Sequence, residues 1–166
     1  RWWNRELQRL GVDYVFLHPD PLVKEIREGQ FLDIVGTCYF KAQQVAEVCR
    51  WINEGLVGRD DDVFVVHDYW FPGIEGLAYI RDLKRLGYKI VGLLHAGTWD
   101  DWDFISQRGL GGWARDIERG WLKMADMIVV ATQFHKGLLE RCFGGELVED
   151  KVVVKPFVYF SEDVVK

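Results

Sequence analysis

Apolar and polar positions follow two rhythms along this chain. The first is a set of short, unbroken apolar runs. Val63-Phe64-Val65-Val66 follows the charged turn Asp60-Asp61-Asp62, Tyr88 to Leu94 reads YKIVGLL, Met127 to Ala131 reads MIVVA, and Val152-Val153-Val154 is the last. Continuous Val/Ile runs of this kind suit strands covered on both faces, as in a parallel sheet. Two more runs lie near the front and also read as strands: Val12 to Leu17 (VDYVFL), ended by His18-Pro19, and the weaker Phe31 to Val35. The second rhythm is helical. Val45, Val48, Cys49, Ile52 and Leu56 share one helix face, as do Leu110, Trp113, Ala114, Ile117, Trp121 and Met124. Phe134, Leu138, Leu139 and Cys142 make a shorter stripe, ended by Gly144-Gly145. Strands alternating with helices predict an α/β domain with a doubly wound parallel sheet, Rossmann-like in character. No repeat and no Pro/Gly/Ser linker divides the chain, so residues 1–166 read as one domain.

Composition narrows the class. A chain of 166 residues is the size of one domain and can bury a core without disulfides. The formal net charge of -5 lacks the basic footprint that nucleic acid requires. No apolar run approaches the length of a spanning helix, and Arg1-Trp2-Trp3-Asn4 is not followed by the apolar core of a secretory leader. Cys38, Cys49 and Cys142 are odd in number and widely spaced, which fits buried thiols in a reducing compartment. Eight tryptophans are many for one small domain. They serve either a Trp-rich core or a surface that stacks on sugar rings.

In doubly wound sheets, ligands bind at the carboxyl ends of the strands. The residues there are His18-Pro19-Asp20, His67-Asp68-Tyr69-Trp70, His95-Ala96-Gly97-Thr98-Trp99 and Thr132-Gln133. Three of the four histidines thus fall on one predicted edge, as a polar ligand site or as structural hydrogen bonders. His67-Asp68 offers an acid/base pair only if the chain turns, because neighbours on a strand point to opposite faces. No H-x-H or H-x-x-x-H pair is present, so no metal site is expected. There is no G-x-S-x-G elbow, P-loop or G-x-G-x-x-G. Gly109-Leu110-Gly111-Gly112 precedes a helix, either as its flexible lead-in or as a source of amides for a phosphate. The most distinctive loop, Thr98 to Phe104 (TWDDWDF), sets stacking faces beside acceptors, which suits a polyhydroxylated ligand. Equally, it reads as a helix start with Asp100 or Asp101 as N-cap and Trp102 packing down.

Taken in order, five of these segments resemble the N-terminal domain of retaining GT-B glycosyltransferases, the group that includes glycogen synthases and mannosyltransferases. They are Val65-Val66-His67-Asp68-Tyr69-Trp70; Leu93-Leu94-His95-Ala96-Gly97-Thr98; a helix bearing Glu118, then Ala125-Asp126-Met127-Ile128-Val129-Val130; Thr132-Gln133-Phe134-His135-Lys136; and Lys151-Val152-Val153-Val154-Lys155-Pro156. The resemblance implies a hexosyltransferase-type enzyme that moves a sugar from a nucleotide-sugar donor to a sugar, lipid or small-molecule acceptor, with retention and no further cofactor. It places His95 in the cleft as the catalytic candidate. His67, Asp68, Trp70, Gly97, Thr98, Trp99 and Asp101 would form the acceptor pocket. The similar family has Asn-Gly after the final Pro, where this chain has Phe157-Val158-Tyr159-Phe160. Its first strand, Gly-rich loop and C-terminal donor domain find no counterpart here, so the isolated chain is expected to turn over weakly. An alternative is a non-catalytic half-protein that binds a glycan or a separate donor-binding subunit. The resemblance also implies a cytoplasmic setting. Association with a membrane surface stays open, with the Arg81–Arg85 region and Lys84 as its one weak basic candidate.

Overall fold

The computed structural model describes residues 2–19 and 33–156. Helix α1 (Trp2–Arg9) leads to an irregular segment. After it come α2 (Ile34–Asn53), β1 (Val63–Val66), α3 (Glu75–Lys84), β2 (Lys89–Leu93), α4 (Phe104–Gln107), α5 (Gly111–Met124), β3 (Met127–Val130), α6 (Gln133–Phe143), α7 (Gly145–Glu149) and β4 (Val152–Val154). The four strands form one sheet in the order β1-β2-β3-β4, and every pair is parallel. This is the parallel, Rossmann-like α/β arrangement expected from the alternating pattern. Each of the four Val/Ile-rich runs becomes a strand: the first and last with the bounds expected, the second shorter by one residue at each end and the third by one at its end.

Right-handed crossovers in a sheet of monotonic order bring the connecting helices to one face. In agreement, α3 contacts α5, and α5 contacts α7. Beneath them lie Ile90 and Gly92 of β2, Ile128 and Val130 of β3, and Val152 of β4. Tyr69, Ile74, Leu77, Trp121, Leu122 and Leu139 close over that face to make the core. On the other face, Val63, Val65 and Met127 are exposed, so these runs are not covered on both sides among the described residues.

Local chemistry sets the helix boundaries. Asp33 caps α2 by accepting from the Gly36 amide at 3.0 Å, and Thr132 caps α6 by accepting from the His135 amide at 3.2 Å. Asp126, in the Ala125-Asp126 pair before β3, ties three elements together. Its carboxylate accepts from Arg81 of α3 at 2.7 Å and from the Ile90 amide of β2 at 2.8 Å. Arg81 also donates to the Met124 carbonyl at 2.9 Å. The guanidinium is therefore engaged inside the fold, which removes it from the basic patch considered for membrane contact.

Several expectations are corrected. Val12 to Leu17 is not a strand: β-propensity needs a partner strand to act on, and this segment finds packing instead. Tyr14 meets Phe16 edge-on at 5.1 Å, and the Leu17 carbonyl accepts from Gln44 of α2 at 3.1 Å. Within the predicted run Phe31 to Val35, Phe31 and Leu32 lie outside the described residues. Ile34 and Val35 open α2, because Asp33 caps a 20-residue helix at this point. Leu56 lies beyond α2 and is exposed. The stripe read along α5 is out of phase: Trp113 is 58% exposed and Ile117 is exposed, while Ala114, Glu118, Trp121 and Leu122 face inward. Phe134 of α6 is also exposed. All three cysteines are free, and Cys38 is exposed rather than buried.

Gly92 marks the tightest approach of sheet and core. A Cβ there would lie 2.1 Å from the ring of Tyr69, which is fully buried and donates its hydroxyl to the Trp121 carbonyl at 2.9 Å. Overpacking a site fixed on both sides costs about 3 kcal/mol. Gly92→Ala should lower the urea midpoint accordingly without changing the slope, and an unchanged midpoint would contradict this packing.

Candidate functional site

Two loops leave adjacent parallel strands at their carboxyl ends. One is His67 to Phe71 after β1, and the other is Leu94 to Asp103 after β2. His67 and His95 are both exposed at this edge. The His95 ring nitrogen Nε2 lies 2.9 Å from the His67 carbonyl oxygen. A carbonyl can only accept, so Nε2 carries the proton in this contact. His67 is pushed below the ordinary histidine value, first by burial and then by the neighbouring His95. His18 does not join them. The segment before it is not a strand, and its ring stacks on Phe16 at 5.6 Å.

Each loop is anchored from behind. Asp68 accepts from Lys41 of α2 at 2.8 Å, and the same ammonium, itself buried, donates to the Trp70 carbonyl. Asp68 is therefore held by a cation. Trp70 turns inward and donates its indole Nε1–H to Glu118 at 2.7 Å. On the second loop, Thr98 is fully buried. Its amide donates to Glu118 Oε1 at 2.8 Å and its hydroxyl to Glu118 Oε2. Its carbonyl accepts from Ser106 and Arg115, each at 3.1 Å.

The carboxylate of Glu118 thus gathers both loops. The residue is 5% exposed, and burial raises its pKa against the donors that lower it. Gly97 makes the approach possible, since a Cβ there would lie 2.6 Å from both Glu118 Oε1 and Trp99 Nε1.

The remaining candidates divide. Trp99 is 3% exposed and sits in the core cluster, edge-on to the His135 ring at 5.6 Å, so its faces are closed to a sugar in this structure. Trp102, in contrast, is 87% exposed. The helix-start reading of this loop is the observed one, with different residues. Asp103 caps α4 by accepting from the Ile105 amide at 2.8 Å, Asp100 accepts from the Trp102 amide at 2.9 Å, and the ring that packs down is Trp99. Asp101 is exposed on the outer side of this loop. The cavity beside Trp99 and Glu118 has a volume of about 10 Å³, room for one water and not for a sugar. Of the candidates on these two loops, His67, Asp68, His95, Asp101 and Trp102 are the exposed ones and form a rim at this edge. Among the described residues, no three His, Cys, Asp or Glu side chains gather closely enough to hold a metal ion. No described helix is long and apolar enough to cross a membrane.

Sequence reasoning missed Glu118 as a site residue, although it stood in one of the matched segments. A charged position breaking an otherwise apolar helix face was its signal. Lys41 was missed as well, and no motif marks it.

Residues 4–156 match the family described as Glycosyltransferase Family 4. The chain belongs to that family. A comparison with curated proteins finds no match. Within this glycosyltransferase family the matched fold is the N-terminal half of the GT-B architecture, and the matched stretch contains both loops and Glu118.

His67 of this glycosyltransferase domain gives a pH signature. A ring whose folded pKa lies below its unfolded value binds fewer protons when folded. Its contribution to stability is intact above the ordinary value of 6.5 and is lost as pH falls through the folded pKa. An NMR titration of the imidazole protons should place the His67 midpoint below 6.5, and a midpoint above that value would contradict the packing described.

Proposed function

We propose that this domain is the acceptor-side half of a retaining GT-B glycosyltransferase of hexosyltransferase type. The complete enzyme would move a sugar from a nucleotide-sugar to an acceptor hydroxyl. One observation carries the reading: within a domain of the glycosyltransferase family, His95 stands at the carboxyl edge of the sheet. Its Nε2 donates to the His67 carbonyl, and the loop behind it is anchored by Glu118.

In this reading the domain supplies position and charge rather than a nucleophile. His95 touches the transferred sugar or the reacting centre. His67, Asp68 and Asp101 line the acceptor side from the two loops, and exposed Trp102 offers a stacking face. Trp70, Gly97, Thr98 and Trp99 support this surface from within instead of meeting the ligand. The donor's nucleotide and diphosphate would be held chiefly by a second domain, which stabilises the leaving charge.

The test is a transfer assay on the protein that carries this domain, with a panel of sugar nucleotides and stereochemical analysis of the product. His95→Ala should lower kcat by on the order of 10²-fold, with the fold unchanged. Full activity in that variant, or an inverted product, would sink the reading. Glycan binding with no transfer from any donor would favour a non-catalytic half-protein.

A further inference from the structure

A carboxylate inside a core is costly unless its oxygens are filled with donors. Glu118 meets that condition in a particular way. Its three hydrogen bonds come from Trp70 Nε1, the Thr98 amide and the Thr98 hydroxyl, and so from two different loops. The two anchored residues stand in matching places: Trp70 is three residues past His67, and Thr98 is three residues past His95. Between each anchor and its histidine the chain is too short to absorb a displacement of the anchor. Thr98 itself cannot slide, because Ser106 and Arg115 grip its carbonyl from α4 and α5. Nor can the carboxylate be held off, because Gly97 leaves room for it where any Cβ would collide.

We propose that Glu118 is a positioning residue. By accepting from Trp70 and Thr98 together, it sets the spacing at which His95 reaches the His67 carbonyl, and hence the geometry of the exposed rim. This rests on the reading of that rim as the working surface. Lys41 is the runner-up, but it grips only the first loop, through Asp68 and the Trp70 carbonyl. Glu118 alone of the two spans both loops. Its role is that of an acceptor at a fixed place, not of a charge. A glutamine oxygen can accept from Trp70 Nε1 and the Thr98 amide, and a glutamine amide can donate to the Thr98 hydroxyl once that hydroxyl rotates.

The test needs no substrate. The chain is labelled at its tryptophan and histidine nitrogens, and NMR spectra are compared for the wild type, Glu118→Gln, Glu118→Met and Trp70→Phe. His18, whose ring stacks on Phe16, serves as the internal reference. Glu118→Gln should leave the His67 and His95 ring signals and the Trp70 indole signal close to their wild-type positions. Glu118→Met, similar in volume but without an acceptor, should displace all three and leave His18 unmoved. Where Glu118→Met fails to fold, Trp70→Phe decides, since it removes only the first loop's bond to Glu118, while Thr98 stays satisfied and Lys41 still holds Asp68 and the Trp70 carbonyl. It should move His67 and weaken the His95 contact.

Unmoved His67 and His95 signals in folded Trp70→Phe, or equal displacement in the Gln and Met variants, overturn the proposal. In the transfer assay, Glu118→Gln should retain kcat, and Glu118→Met should lose on the order of 10²-fold, the scale of a misplaced reacting group. Displaced histidine signals in a protein with no transfer activity would refute the glycosyltransferase reading and leave the positioning role standing.

Discussion

The carboxyl edge of this sheet depends on one buried carboxylate. Backbone and side-chain donors leaving β1 and β2 are buried where water cannot reach them, and each needs an acceptor. Glu118 supplies acceptors for three of them at once. A hydrogen bond to a charged group contributes about 2 kcal/mol, and removing the acceptor leaves the donors buried and unsatisfied. The shape of the edge follows. The Thr98 loop turns inward instead of out over the sheet, Trp99 follows it into the core, and Asp103 is left to start α4.

The same demand explains why the face of α5 was misread. Scored by hydropathy alone, the helix should turn Trp113 and Ile117 inward. The structure turns Glu118 inward instead and exposes both apolar residues. A polar position that saturates several donors outweighs the burial of two apolar side chains. Periodicity cannot show this, because the donors come from loops 20 and 48 residues earlier in the chain. The strands were legible for the opposite reason. Val63–Val66 and Met127–Val130 are defined by local composition, and their partners repeat the same composition. Val12 to Leu17 has that composition and no strand beside it among the described residues, so the local signal misled.

The candidate site was legible to about the same depth. The edge itself could be located from His67 and His95 standing after strong strand runs. Which aromatic rings face outward could not. Trp70, Trp99 and Trp102 looked alike in sequence, each just beyond a strand. Trp70 is held by Glu118, Trp99 fills the core beside His135, and Trp102 stays in solvent. Of these three tryptophans, two serve the core and its hydrogen bonds and one offers a face to solvent. Family membership adds the sugar-transfer setting that neither composition nor packing supplies.

If Glu118 orders this edge, the Thr98 amide is locked inside the fold although it belongs to a loop. Native-state hydrogen exchange at that single amide is the most direct test. It should exchange as slowly as the Ile128 amide in the middle of the sheet, through the same large openings. Exchange as fast as that of the exposed Trp102 amide, four residues further on, would contradict the account.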